Sequence, residues 1–331
     1  MHPHTHISGV NSFRQILMAP AIETHGLCKA FGEKVAVADL TLSVEQGEVF
    51  GFLGPNGAGK TTLVKILSTL LLPDEGKASV VGYDVVSQAN DVRRVMGYAG
   101  QDSERSAFFR LTTRENLLFF ANAFHGIGRP EANRRIEGLA AAFDFKDSLD
   151  KYFIALSGGQ KQMFVIMRSL ITEPDVVFMD EPSKSLDPLA ASKVRAYLKD
   201  YAKRRSVALI VTTHNMKEAE EISNRVVMIS KGKVLFDGTT VDMRDSVTKT
   251  EVVEISGNHI GDGVKQLIQN MPGVIGVHEE NSNFRLYCKD AYEVLPQVVE
   301  ALKLNGQRPA VGIEHLTLEE AFKAMVGGEG A

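Results

Sequence analysis

The chain has 331 residues, 44% hydrophobic and 24% charged, and its 41 acidic and 37 basic residues leave a formal net charge of −4. That composition describes a globular chain long enough for two domains; it excludes a disordered chain and offers no global attraction for nucleic acid or anionic lipid. Cys28 and Cys288 stand far apart and outside any C-x-x-C spacing, which argues against a disulfide framework or a cysteine-built zinc site and fits a reducing cytoplasm.

The opening twenty residues, with His2, His4 and His6 among small residues, read as a flexible tail rather than a metal site. No apolar run approaches the roughly 18 residues that span a bilayer, and no secretory signal core opens the chain, so a membrane role must come through a partner. From 21 to 240, continuous β-branched runs such as "EVFGFLG", "DVVFMDEP" and "SVALIVTTH" alternate with helical periods such as "KTTLVKILSTLL". Strands buried on both faces read this way, so the spacing predicts an α/β fold around a mainly parallel sheet.

The first chemical signal is "GPNGAGKTT", which comprises Gly54, Pro55, Asn56, Gly57, Ala58, Gly59, Lys60, Thr61 and Thr62 between a strand-like and a helix-like run. This G-x-x-x-x-G-K-[ST] pattern is a phosphate loop. Its backbone N–H groups wrap a triphosphate, Lys60 brings a point charge to the β and γ positions, Thr61 reaches Mg²⁺, and Thr62 adds a phosphate contact. Gln101 follows the apolar "VMGYAG" as a neutral amide able to reach both Mg²⁺ and an attacking water.

From about 102 to 172 the chain is mostly helical, with Thr112 and Glu115 in capping-box spacing ahead of an aromatic-rich helix. Its phenylalanines 108, 109, 119, 120 and 124 suit a core more often than an interface. The segment includes "FIALSGGQKQ", a second glycine-bearing loop at a helix start that has no nucleophile, metal ligand or base. Next, "VVFMDEP" ends a strand in Asp180 and Glu181. Ligands gather at the carboxyl ends of parallel strands, so Asp180 suits the Mg²⁺ shell, directly or through water, and Glu181 is placed to polarise water. His214 closes the next strand-like run and reads as a γ-phosphate contact that orients that water.

A linker at 241–248 leads to a different rhythm over 249–331, where the order βαββαβ predicts a small α+β ferredoxin-like domain. A last helix is expected around "LTLEEAFKAMVGG", with Thr317 and Glu320 as capping box and Gly327 as stop.

Taken in order and spacing, "GPNGAGKTT", Gln101, "LSGGQ", "VVFMDEP", "SLD" and His214 resemble the ATP-binding subunits of ABC transporters over about two-thirds of the chain. The resemblance implies a P-loop ATPase domain with an antiparallel β subdomain and an inserted helical subdomain. It also implies Mg²⁺ with ATP as substrate. In that family the signature loop, here Leu156, Ser157, Gly158, Gly159 and Gln160, caps the ATP held by a second subunit in a head-to-tail dimer. Phe31 would stack on adenine, with a core role as the alternative. Ser185, Leu186 and Asp187 would lie in the loop that crosses the dimer interface. Ser185 departs from the family's usual glycine, and a negative φ would let it take the required backbone.

The helical subdomain, Phe108 and Phe109 in particular, would receive a short helix of a separate polytopic membrane subunit. The implied partners are thus a second copy of the chain or a homologous ATPase subunit, that membrane subunit, and ATP, without nucleic acid. The location would be the cytoplasm, peripheral to the inner face of the cell membrane. Domain order and the ending "HLTLEEAFKAMVG" resemble exporter ATPases of the daunorubicin-resistance type. A regulatory, translation- or repair-associated ATPase with a ligand-binding C-terminal domain is the other reading. Translation-associated relatives usually carry two cassettes in one chain and repair-associated ones long coiled-coil insertions, and neither is seen in the sequence. Because the signature loop serves another subunit, an isolated chain is expected to bind ATP yet hydrolyse it poorly until it dimerises.

Overall fold

The computed structural model describes residues 20–100, 103–247, 251–256, 262–280, 283–306 and 309–314. The tail histidines, Gln101 and the helix expected around Thr317, Glu320 and Gly327 lie outside them. The described residues form two compact units, one ending at Gly238 and one beginning at Thr239.

The first unit holds two sheets. An antiparallel sheet of order β2-β1-β4-β5 is built from β1 (Ile22–Phe31), β2 (Lys34–Val44), β4 (Glu75–Val80) and β5 (Tyr83–Asp84). The six-stranded sheet has the order β10-β9-β3-β8-β7-β6, from β3 (Val49–Leu53), β6 (Met96–Ala99), β7 (Val176–Asp180), β8 (Ala208–Thr213), β9 (Arg225–Ser230) and β10 (Lys233–Thr239). The pairs β3–β8, β3–β9, β6–β7 and β7–β8 are parallel. Strands β3, β7 and β8 are buried at every position, which is why their sequences are apolar without alternation. Leu53 pairs with Thr213 and Asp180 with Thr212. The three strands therefore end level, and the segments that follow them emerge side by side.

The helices of this unit are α1 (Lys60–Leu67), α2 (Ala89–Val95), α3 (Thr113–His125), α4 (Arg129–Ala142), α5 (Gly158–Leu170), α6 (Pro188–Arg205) and α7 (Met216–Ile222). The capping box read at Thr112 and Glu115 forms: Thr112 N–H donates to the Glu115 carboxylate at 2.8 Å and Glu115 N–H to Thr112 Oγ1 at 3.2 Å. Helices α3, α4 and α5 share a core of Leu117, Ile136, Phe153 and Phe164. The aromatic residues divide: Phe120 packs against that core, whereas Phe108, Phe109 and Phe119 are exposed. A core role for these three is thus overturned.

In the second unit α8 (Thr240–Val247) replaces most of the expected linker. Thr239 N–H donates to Asp242 at 2.9 Å and Asp242 N–H to Thr239 Oγ1 at 3.0 Å, a reciprocal cap that stabilises the helix start. Beyond it come β11 (Glu251–Ser256), α9 (Asp262–Gln269), β12 (Val274–Glu280), β13 (Asn283–Cys288), α10 (Ala291–Leu304) and β14 (Ala310–Glu314). The four strands form an antiparallel sheet of order β12-β13-β11-β14, and the helices bury Val264, Ile268, Val294 and Val298 against Val253, Ile255 and Leu286. This is the ferredoxin-like arrangement expected from the βαββαβ order.

Candidate functional site

The phosphate loop joins β3 to α1. Gly59 precedes the helix at φ 109°, and a Cβ there would sit 2.0 Å from the Ala36 carbonyl oxygen, so no other residue fits. Having no side chain to cap the helix, it leaves the first N–H groups of α1 for an anion. Lys60, only 7% exposed, donates from Nζ to the carbonyls of Gly54 at 2.6 Å and Pro55 at 3.1 Å. Burial lowers its pKa, and the negative charges of Asp180 and Glu181 oppose that shift. The ammonium is parked on loop oxygens where phosphate oxygens can replace them.

Asp180, at the end of β7, is buried and held on both oxygens: Thr61 donates to Oδ2 at 3.1 Å and the Thr212 hydroxyl donates to Oδ1. A hydroxyl and a carboxylate fixed together beside a phosphate loop are hard oxygen donors of the kind Mg²⁺ takes along with phosphates and water. Among the described residues no group of three or more His, Cys, Asp or Glu could hold a metal. The Thr61–Asp180 pair leaves room in an ion's shell for phosphate and water oxygens.

Glu181 takes the left-handed conformation, φ 54°, which is costly for a residue with a Cβ. Two backbone bonds hold it there, Glu181 N–H to Thr212 O at 3.0 Å and Lys184 N–H to Glu181 O at 3.1 Å. The turn separates its carboxylate from that of Asp180 and brings Oε1 to 2.6 Å from Nδ1 of His214, while Lys184 Nζ lies 3.5 Å from Oε2. Two ends of adjacent strands thus supply a hydrogen-bonded acid–imidazole pair, suited to orienting and deprotonating a water.

Phe31, 53% exposed, ends β1 and lines the same cleft as Asn56 to Thr62, Asp180 and Glu181, so its side chain is open to stacking rather than buried in a core. Lys34 pairs with Phe31 across the hairpin and also lines the cleft. Its place immediately after the Gly32-Glu33 turn, opposite Phe31, is the signal in the sequence that points to it.

The signature loop lies elsewhere in the unit. Ser157 caps α5 in a second capping box, its Oγ accepting from Gln160 N–H at 3.3 Å and its own N–H donating to Gln160 Oε1 at 3.0 Å. Leu156 is buried, and Gln160 Nε2 donates to Ser148 at 3.0 Å. The box leaves the N–H groups of Gly158 and Gly159 unused, and Ser157 and Gly158 are exposed. A Cβ on Gly159 would approach the Ser185 carbonyl to 2.8 Å, so the signature and crossing loops touch within one chain. Ser185 has φ 65°, so the condition under which a serine would fit easily, a negative angle, is not met: this chain takes the glycine conformation with a serine. Asp187 accepts from the N–H groups of Leu189 and Ala190, both at 3.0 Å, as the N-cap of α6.

Further along, Gln162 and Arg168 also tie α5 to the rest of the unit. Gln162 Nε2 donates to the Pro182 carbonyl at 3.1 Å, immediately after Glu181. Arg168, whose pKa burial lowers to about 10, donates to Ser103 O at 2.9 Å and Ser106 Oγ at 2.6 Å, with its guanidinium 4.7 Å from the Phe120 ring centre. The helix that begins with the signature loop is thus linked both to the segment that follows β7 and to the turn at Ser103–Ser106.

A parallel sheet with a phosphate loop, a hydroxyl–carboxylate pair and an acid–imidazole pair at its carboxyl end defines the class: a P-loop ATPase cassette with an inserted helical region. The protein-family model described as ABC transporter matches residues 37–184. The daunorubicin resistance ATP-binding protein DrrA3 of Streptomyces coeruleorubidus is 35% identical over 312 residues, covering 93% of this chain and 96% of that protein. The daunorubicin/doxorubicin resistance ATP-binding protein DrrA of Streptomyces peucetius is 37% identical over 310 residues, 93% and 92% of the two chains. The Nod factor export ATP-binding protein I of Burkholderia orbicola is 33% identical, covering 93% and 97%. A solved ATP-binding subunit of an ABC transporter superposes with TM-score 0.62 at 28% identity, over 68% of this chain and 92% of that one. The dimeric cassette MJ0796 bound to ADP and Pi gives 0.61 at 23% identity, over 66% and 98%, a likeness of fold. The chain belongs to the ATP-binding subunits of ABC transporters and is an ATP-hydrolysing subunit of the exporter type.

Proposed function

We propose that two such chains, or one and a homologous subunit, close head to tail around two Mg·ATP. In each site Gly54 to Thr62 hold the triphosphate, Phe31 stacks on adenine, and Lys60 exchanges its loop carbonyls for β and γ oxygens. Thr61 and Asp180 hold Mg²⁺, with Gln101 as a further ligand; the ion supplies positive charge against the developing charge on the phosphates. Glu181 accepts the proton of the attacking water, and His214 orients that water and the γ-phosphate. Leu156 to Gln160 of one chain complete the site of the other: the free N–H groups of Gly158 and Gly159 at a helix start suit a γ-phosphate presented from outside. Ser185, Leu186 and Asp187 run between the two.

The observation that carries this reading is the Glu181–His214 pair, 2.6 Å apart beside the phosphate loop. Closure and reopening would drive a separate polytopic membrane subunit at the inner face of the cell membrane. No described helix is long and apolar enough to cross a membrane, while Phe108, Phe109, Phe119, Tyr152 and Ile154 expose apolar side chains on the helical subdomain, a surface suited to a partner's helix. Replacing Glu181 by Gln tests the assignment: ATP binding and a nucleotide-trapped dimer should persist while turnover disappears. Unchanged turnover would overturn it.

A further inference from the structure

Glu218 is a charged residue that the proposed chemistry does not use. It lies in α7, 6% exposed, and lines a cleft with Asn56, Glu181, Lys184 and His214. Its Oε2 accepts from Thr213 Oγ1 at 2.6 Å. Thr213 Oγ1 in turn accepts from Asn215 N–H at 3.0 Å, and Asn215 Oδ1 accepts from Glu218 N–H at 3.2 Å. The three residues close a ring of hydrogen bonds around His214, gripping the residue on either side of it. His214 itself is 60% exposed in its side chain and meets the protein through Glu181, so its own contacts do little to fix the backbone that carries it.

The other oxygen, Oε1, is buried without a hydrogen-bond partner among the described residues. One accepting oxygen is all the ring requires, and an unpaired buried oxygen opposes folding. A side chain chosen for stability alone would not carry it, and local costs of this kind collect at functional sites.

We propose that Glu218 is a positioning residue for hydrolysis, holding the Thr213–Asn215 turn so that His214 meets Glu181 and the γ-phosphate. This rests on the proposed role of His214 in orienting the attacking water. Glutamine keeps an oxygen that accepts from Thr213, whereas alanine removes it; Thr213→Val removes the donor from the other side of the ring without changing side-chain size.

The test compares Mg·ATP turnover of the full-length chain with that of Glu218→Ala, Glu218→Gln, Thr213→Val and His214→Ala, together with the ¹⁵N NMR shifts of the His214 ring. Glu218→Ala and Thr213→Val should each lower kcat about tenfold with KM for ATP within about twofold, and should move the His214 resonances towards those of a solvated imidazole. Glu218→Gln should restore kcat to within about threefold of the unmodified chain. Thr213→Val decides the matter if Glu218→Ala does not fold. Folded variants with unchanged kcat and unshifted His214 signals would overturn the proposal. If His214→Ala kept full turnover, the role of His214 would fail instead, whatever the Glu218 variants did.

Discussion

Two helices of the first unit begin at glycine-bearing loops, and their starts are built differently. At α1 the residue before the helix has no side chain to offer, a buried lysine lies on the loop, and a hydroxyl–carboxylate pair stands beside it. At α5 a serine and a glutamine close a capping box, and among the described residues neither a hydroxyl–carboxylate pair nor an acid–imidazole pair adjoins it. Both starts leave N–H groups for an anion, but among the described residues the first alone adjoins charges suited to binding a triphosphate and activating water. A phosphate contact without chemistry of its own is what half of a shared site requires. The difference between the two starts therefore supports a site completed by a second subunit.

The largest effect that would break this contrast lies at Glu181. The Glu181→Gln chain should lose about a hundredfold or more in kcat, since general bases contribute on that scale, with its ATP dissociation constant nearly unchanged by equilibrium dialysis. Lys60→Ala comes next: losing a charge-assisted phosphate contact should weaken ATP binding by the monomer about tenfold or more. Ser157→Ala should lower hydrolysis about fivefold to tenfold while leaving monomer affinity for ATP untouched. A matching loss of monomer affinity would place the signature loop in its own chain's site and dissolve the distinction between the two starts. The smallest effect is at Ser185, whose left-handed conformation costs roughly 1 kcal/mol beyond that of glycine. Ser185→Gly should raise the unfolding midpoint by about 2–4 °C. An unchanged midpoint would mean that contacts with the signature loop repay the strain.

What could be read from the sequence follows from where the contacts lie. The phosphate loop, the buried strands and their acidic or histidine ends were legible because each is a short continuous run whose period or spacing carries its physics. The ferredoxin-like order was legible for the same reason. Other features depend on chain segments that meet only after folding. The positive φ of Glu181 comes from bonds to Thr212 and Lys184, and the sequence left the sign of φ at Ser185 open. Lys34 reaches the nucleotide cleft because a hairpin sets it opposite Phe31. The phenylalanines gave no clue to which would be covered, because helix periodicity does not say which neighbour packs on a face. Helix α8 did carry a local signal: Thr239 and Asp242 have capping spacing, obscured by the polar stretch around them.

Sharing of the site between subunits is the central claim. The most direct measurement is the specific ATPase activity of the full-length chain in saturating Mg·ATP across a wide range of protein concentrations, with the fraction of dimer at each measured by sedimentation. Activity per chain should rise with the fraction of dimer and level off when dimerisation is complete. A specific activity that stays flat across that range would show that each chain hydrolyses ATP alone, contradicting the role of residues 156–160 in completing a partner's site.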